Sequence, residues 1–518
     1  MNEDRTNQER SRRALPFHPV LFAVAPILFV YAHNDIRIPI DPGELLWPIA
    51  LSLTATAVPW TVLGLLFRSA TRAATVVSLF LVTFFSYGHI AGEIYSSVEL
   101  LLGWTLLMAV AVWLAARRRK GSAGGQLFGV TVLLNCIAVG ILAVAFMSGT
   151  KALANSPPRF ERTARLGPAA ADPNCPDIYY IITDSYVRAD VLKSRYGTDN
   201  SAFLDELRRL GFFVADRARS NYAWTHPSLA SSLNFTYLDS LAEAVGRESD
   251  NGGPLLGLIQ DSRLVDFLRR RGYTIVSFAS GDVATDLPDT DFRYASTWSL
   301  TEFQGILVNT TVLRDVLRFL FHKSAFDRHR DRVLYTLRNL PNAGLARHPV
   351  FVFAHIMSPH RPFVFGTSAA RPGASFHASL YGGQVTYLST LLLDVVWRIL
   401  GQSPRPPIII IQADHGLREV VAGGDSMFSQ LQERHAILNS AYLPPSGRRT
   451  VPSVQLYDSI SPVNTFRAIL SQYFDTTMAL LPERSYFSFL ERPYHFYDID
   501  RPQSYPVFGG PVKSGSPP

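Results

Sequence analysis

Residues 407–416 read PIIIIQADHG, and the fold follows from how this stretch is read. Four consecutive isoleucines behind Pro407 make a short continuous apolar run, the pattern of a strand buried on both faces of a parallel sheet. The run ends on Asp414 and His415, where burying polarity is costly unless a partner meets it. Gly416 then suits a turn with positive φ. Working outward, DIYYIIT (177–183) is a second run of the same kind and ends on Asp184. PVFVFAHI (349–356) is a third, delivering His355 at its end and His360 in the loop beyond. Helical periods alternate with these runs: SAFLDELRRLG (201–211), SRLVDFLRRRG (262–272) before the strand YTIVSF (273–278), and residues 379–401 before PIIIIQ. This alternation predicts an α/β domain whose mostly parallel sheet is covered by helices on both faces. Ligand sites in such sheets lie beyond the carboxyl ends of the strands, where Asp184 and Asp414 fall.

The first third of the chain has a different character. Five apolar stretches, at about residues 17–33, 46–67, 73–90, 98–116 and 126–148, each approach the ~20 residues that a bilayer core requires. Arg5, Arg10, Arg12 and Arg13 precede the first, Arg68 and Arg72 separate the second from the third, and Arg117, Arg118, Arg119 and Lys120 precede the fifth. The alternate connections hold only Arg37. The positive-inside rule therefore places the N-terminus in the cytoplasm and everything after the fifth span on the far side of the membrane. A cleaved signal peptide does not account for the first stretch, which lacks a small-residue cleavage site and is followed by four more. The expected organisation is a cytoplasmic tail (1–16), a five-span bundle (17–148), a linker (149–176), one catalytic domain (177–495) and a disordered Pro/Gly/Ser-rich tail (496–518).

Charge and cysteine content narrow the function. The net charge of +7 divides into +3 before residue 150, from 11 basic and 8 acidic residues, and +4 after it. An outer domain this mildly basic does not point to nucleic acid as a partner. Cys136 and Cys175 are the two cysteines, too few for a disulfide framework or a zinc knuckle. Stability must come from the core and from any bound metal.

Three motifs then stand out: IITDSY with Asp184, WTHPSLASS with Thr225, and QADHG with Asp414 and His415. Each has an ordinary structural use. Asp184 can cap the next helix. Thr225, with Pro227 just behind it, can be an N-cap. His355 and His360 can be loop histidines, and His435 a surface residue before the strand AILNSAYLP. Taken together they supply two carboxylates, an imidazole and a hydroxyl at separate strand ends, a ligand set for a divalent cation beside a nucleophile. The oxygen and nitrogen donors suit Mn²⁺ or Zn²⁺, with Mg²⁺ or Ca²⁺ as further candidates.

From about residue 176 to 475 these motifs and their order resemble the alkaline phosphatase superfamily. The likeness is to its sulfatase-like branch, which includes lipoteichoic acid synthases and lipid A phosphoethanolamine transferases. Thr225-His226-Pro227-Ser228-Leu229 resembles the sulfatase Cys-x-Pro-Ser-Arg motif with Thr in the nucleophile position. DHG (414–416) resembles the second metal motif, and FAHIMSPHRPF (353–363) the segment bearing a substrate-binding histidine. The resemblance implies that Asp184, Thr225, Asp414 and His415 hold the main metal and that Thr225 is the nucleophile. It implies that His360 faces the substrate or a second metal, with His355 and His435 as further candidates. Asp184 is followed by Ser185 rather than a second acid, as in the single-acid transferases, and Thr at 225 speaks against formylglycine chemistry. No arginine follows GYTIVSFASGD (272–282) until Arg293, which departs from the glycerophosphate-polymerising relatives.

The implied activity is a membrane-anchored, metal-dependent transferase at the cytoplasmic membrane, with its catalytic domain on the periplasmic or extracellular side. It would move a phosphorylated headgroup from a phospholipid donor to an envelope glycan or lipid through a covalent threonine intermediate. The alternatives are a phosphate or sulfate ester hydrolase and a non-catalytic envelope scaffold or glycan-binding module.

Overall fold

The computed structural model describes residues 14–34, 42–91, 97–117, 124–155, 175–296, 300–321, 324–345, 348–365, 377–417, 427–445, 456–474 and 476–501. Two compact units make up the chain. One comprises Met1–Ser156 with Leu300–Ala325, and the other Pro157–Ser299 with Phe326–Pro518.

In the first unit the five apolar stretches form the helices His18–Asn34, Leu46–Phe67, Ala70–Ala91, Ser97–Arg117 and Gly124–Asn155. Among the described residues, four segments are long and apolar enough to cross a membrane: Pro42–Phe67, Ala70–Ile90, Glu99–Arg117 and Phe128–Ser148. His18–His33 is apolar but shorter. At 1.5 Å rise per residue a 17-residue helix covers about 26 Å, somewhat less than the ~30 Å hydrocarbon layer. The last helix runs on through Asn155, into the stretch read as linker, whose residues 156–174 lie outside the described residues.

Two further helices, Glu302–Thr310 and Leu313–Phe321, pack on this bundle although they come from the middle of the chain. The first is fixed by a capping box, Thr301 accepting from the Gln304 backbone while the Gln304 side chain accepts from Thr301 N–H. Gly88 allows the close approach: a Cβ there would stand 2.1 Å from the Asn309 carbonyl oxygen.

The second unit is built on a seven-stranded sheet of order β2-β7-β6-β1-β5-β3-β4. Its strands are β1 (Ile178–Asp184), β2 (Phe212–Val214), β3 (Thr274–Phe278), β4 (Phe292–Tyr294), β5 (Val350–Pro359), β6 (Ile408–Ala413) and β7 (Asn439–Tyr442). β1 lies between β5 and β6, parallel to both, and β3 and β4 continue the parallel set. The β2–β7 and β6–β7 pairings of this sheet are antiparallel. Ile408 to Ile411 are fully buried, as a central strand covered on both faces requires. The polar groups around Gln412 pair with one another: Tyr180 donates to Gln412 Oε1 (2.8 Å), and Gln412 Nε2 donates to Asn439 Oδ1 (3.0 Å) and Thr465 Oγ1 (3.1 Å). A hairpin of β8 (Tyr486–Phe489) and β9 (Arg492–Asp498) follows. β9 carries regular structure into the segment read as a tail, of which residues 502–518 lie outside the described residues.

Register explains why the site forms where it does. Thr183 stands opposite Ile356 on one side and Ala413 on the other, so β1, β5 and β6 end nearly level. The β1–β5 pairing slips between Thr183 and Asp184, where Asp184 meets Pro359. The side chains just past these ends share one edge.

Candidate metal centre

Among the described residues, Asp184, Asp414 and His415 form a buried group whose ligand atoms all lie within 4.8 Å of one another. Asp184 ends β1, and Asp414 and His415 follow β6 directly. Thr225 opens the helix Thr225–Asn234, whose N-cap is Trp224 without a side-chain cap bond. The Thr225 hydroxyl is thus not a capping group, and Oγ1 lies 3.2 Å from His415 Nε2. Asp184 caps nothing either, since the next helix, Ala189–Tyr196, has Arg188 at its N-cap position.

The surrounding hydrogen bonds set the ligands' orientation. His415 Nδ1 lies 2.7 Å from the Gly416 carbonyl and donates to it, which leaves the Nε2 lone pair facing the carboxylates. That nitrogen is 3.5 Å from Asp414 Oδ2 and 3.9 Å from Asp184 Oδ1. Asp414 Oδ1 accepts from the backbone N–H groups of Ser185 (3.1 Å) and His415 (2.7 Å). Ser185 also donates its hydroxyl to Asp184 Oδ1 at 2.8 Å. It does so with φ at 64°, in the left-handed region that costs a non-glycine residue about 1–3 kcal/mol. One strained residue therefore holds both carboxylates. Gly416 has an ordinary φ, contrary to the turn expected from QADHG, and is needed for space: a Cβ would stand 2.6 Å from Arg434 O, the acceptor of its own N–H.

The test of fit lies in what is left over. Among the described residues, Asp414 Oδ2 is buried without a hydrogen-bond partner, and so is His355 Nε2, 3.7 Å away. Burial alone would raise the Asp414 pKa, but the neighbouring imidazoles of His415 and His355 and the Ser185 backbone N–H hold it well below the usual carboxylate range. Burial pulls His355 down, yet Asp414, Asp184 and Asp282 raise it overall. A carboxylate oxygen and an imidazole nitrogen, both buried and both without a hydrogen bond, fit a cation between them.

The other histidines differ. His355 Nδ1 is 2.9 Å from Thr285 Oγ1, which fixes the ring beside Asp414. His360 donates its backbone N–H to Asp184 O (3.0 Å) and Nδ1 to Arg361 O (2.6 Å), and so sits in the loop beside β1 but outside the group. His435 is elsewhere. Its ring nitrogens face the carbonyls of Leu431 (2.7 Å) and Tyr486 (3.1 Å), so it joins the Met427–His435 helix to the β8–β9 hairpin and is not brought to the acids.

Asp282 is a further acid of this edge, four residues past the carboxyl end of β3, on the side of the sheet where ligand sites lie. It is 3.4 Å from His226 Nε2 and accepts from Ala284 N–H at 2.8 Å. Burial opposes its ionisation, but His226 and His355 and the backbone bond bring its pKa down to about 2. The residue after the hydroxyl is thereby tied to the loop that buttresses His355.

The class of molecule is thus an α/β protein with a metal-type ligand set at the carboxyl ends of a mostly parallel sheet. No protein-family model and no curated protein matches the chain. Among solved structures it is similar to the zinc complex of the C-terminal periplasmic domain of EcEptC from Escherichia coli (11% identity, 63% of this chain and 93% of that one, TM-score 0.43). It is also similar to the soluble domain of lipooligosaccharide phosphoethanolamine transferase A from Neisseria meningitidis (11%, 58% and 89%, TM-score 0.37). A third is the phosphonate monoester hydrolase of Agrobacterium radiobacter (14%, 60% and 80%, TM-score 0.39).

Proposed function

We propose that the protein is a membrane-anchored, metal-dependent transferase that moves a phosphorylated headgroup from a phospholipid to an envelope glycan or lipid through Thr225. The observation that carries this reading is the Thr225 hydroxyl held 3.2 Å from His415 Nε2, beside two buried carboxylates of which one oxygen has no hydrogen-bond partner. Asp184, Thr225, Asp414 and His415 would hold the ion, Zn²⁺ or Mn²⁺ best suiting the donors. When bound, it supplies a positive charge that favours ionisation of a neighbouring hydroxyl and neutralises charge on a phosphoryl group.

A free threonine hydroxyl is a poor nucleophile at neutral pH, and its neighbours must therefore correct this. Thr225 Oγ1 forms a bond to phosphorus while the bond from phosphorus to the diacylglycerol oxygen breaks. The threonine proton ends on the departing diacylglycerol, with His360 carrying it in this reading. An acceptor hydroxyl then attacks phosphorus, the bond to Thr225 breaks, and the acceptor's proton restores the hydroxyl. With water as acceptor the same site is a hydrolase.

The N-terminal helices and the distribution of arginines between them support an anchor with the catalytic unit outside. A tethered domain meets lipid headgroups at high effective concentration, which favours a lipid donor. The test is to give proteoliposomes headgroup-labelled phosphatidylethanolamine or phosphatidylglycerol and follow the label. Transfer requires label on a Thr225 peptide and then on an added acceptor. Label appearing only as free headgroup phosphate makes the protein a hydrolase, and full cellular function in Thr225→Ala would make it a scaffold.

A further inference from the structure

The segment Leu300–Ala325 belongs to the unit of the N-terminal helices although the chain on either side belongs to the other unit. Its anchors are specific. Phe303 packs edge-on against Tyr31 (centroids 6.0 Å apart), Thr301 donates to Glu44, and the Tyr87 hydroxyl donates to the buried Asp315 Oδ2 at 2.7 Å. Val312 packs with Tyr87, beside Phe84, Leu100 and Trp104. Tyr31, Glu44, Tyr87 and Leu100 all lie next to the connections poor in basic residues, whereas Arg68, Arg72 and Arg117 mark the opposite helix ends. The segment therefore covers the end of the bundle that faces outward.

The helix Leu313–Phe321 (LRDVLRFLF) divides into three stripes. Asp315 and Val316 face the bundle. Leu313, Leu317, Leu320 and Phe321 share a second stripe, on which Leu320 is 61% and Phe321 46% exposed, and in the same last turn Phe319, beyond Asp315 and Val316, is 68% exposed. Arg314 and Arg318, one turn apart, edge that apolar stripe. The single carboxylate of the helix is turned inward onto Tyr87, with Arg314 Nε 3.8 Å from its other oxygen.

We propose that this helix lies in the outer leaflet, its apolar stripe among acyl chains and its two arginines at the level of the lipid phosphates. The occupant of the exposed face is lipid, because the helix packs through Val316 beside Leu100, Leu101 and Trp104 of Ser97–Arg117, a helix long and apolar enough to span a membrane, and its basic edge complements phosphate. The proposal rests on the N-terminal helices spanning a bilayer. The chain thereby returns to the membrane within residues 300–325, a second point of attachment besides the 156–174 connection.

The test uses the full chain with Cys136→Ser and Cys175→Ser, reconstituted in phosphatidylethanolamine and phosphatidylglycerol vesicles, and a nitroxide attached through Leu320→Cys. Collision with oxygen and with a water-soluble nickel chelate reads depth. Labels at Leu133→Cys, on a spanning helix, and Arg330→Cys, exposed in the other unit, serve as controls. The proposal expects the label at 320 about 5–10 Å below the phosphates, protected from nickel like that at 133. Nickel access equal to that at 330, with 133 still protected, overturns it. Dipolar broadening at 320 that grows with protein density also overturns it, by assigning the face to a second copy. Nickel access at 133 as well would instead defeat the membrane-spanning reading on which it rests.

Discussion

His435 gives a prediction that separates a structural histidine from a metal ligand. Its ring is fully buried between the carbonyls of Leu431 and Tyr486. Burial, chiefly, pushes its pKa from 6.5 down to about 4, with the charges of Arg434 and Arg219 acting in the same direction and the two backbone contacts against it. Between these values the unfolded chain takes up a proton that the folded chain refuses. The neutral ring's contribution is therefore complete above pH 6.5, is lost as pH falls from 6.5 toward 4, and changes no further below that. Linkage puts the loss at about 2 kcal/mol between pH 7 and pH 5, and about 3 kcal/mol by pH 4. The assay is urea unfolding of the full-length protein in detergent, followed by near-ultraviolet circular dichroism, for the wild type and His435→Gln. The substitution is expected to cost about 1–3 kcal/mol at pH 7 by leaving a buried carbonyl unpaired, and to remove roughly 2 kcal/mol of the acid sensitivity. Bound metal should be unchanged. Equal losses in the two proteins between pH 7 and pH 5 would refute the reasoning, and loss of metal in His435→Gln would return His435 to the ligands.

Other consequences follow from the same geometry. Thr225→Ala should lower headgroup transfer at least ~10³-fold, the scale on which loss of a nucleophile is felt, while Thr225→Ser keeps measurable turnover because the hydroxyl remains. Single-turnover assays with labelled lipid distinguish them. Ser185→Ala removes the hydroxyl that orients Asp184 and should weaken metal binding about 10-fold or more in a competitive chelator titration, with the fold intact by circular dichroism. Gly416→Ala forces a Cβ against Arg434 O and should cost about 1–3 kcal/mol in urea unfolding while weakening metal binding through the displaced His415.

Much of this was legible from sequence because continuous apolar runs report buried parallel strands whatever their tertiary setting. Ile408–Ala413 and Ile178–Asp184 pair in register, and the acids that end them meet. Asp282 was legible by the same rule, just past the end of TIVSF, but its partner His226 comes from 56 residues earlier and no local pattern joins them. His435 looked metal-competent because a histidine before a strand shows only its chemistry. What occupies its nitrogens is the hairpin at Tyr486, a contact made in three dimensions. The left-handed Ser185 gives no sequence signal, as serine seldom adopts that conformation. LRDVLRFLF carried an amphipathic signal of its own, but nothing local says that it returns to the N-terminal helices.

The central claim is that a cation joins Asp184, Asp414, His415 and Thr225. Anomalous scattering at the zinc and manganese edges, from crystals of metal-loaded full-length protein, tests it most directly. A peak bonded to His415 Nε2, both carboxylates and Thr225 Oγ1, and lost in Asp414→Asn, is the predicted result. A peak elsewhere, or none at a metal content of one ion per chain, would contradict it.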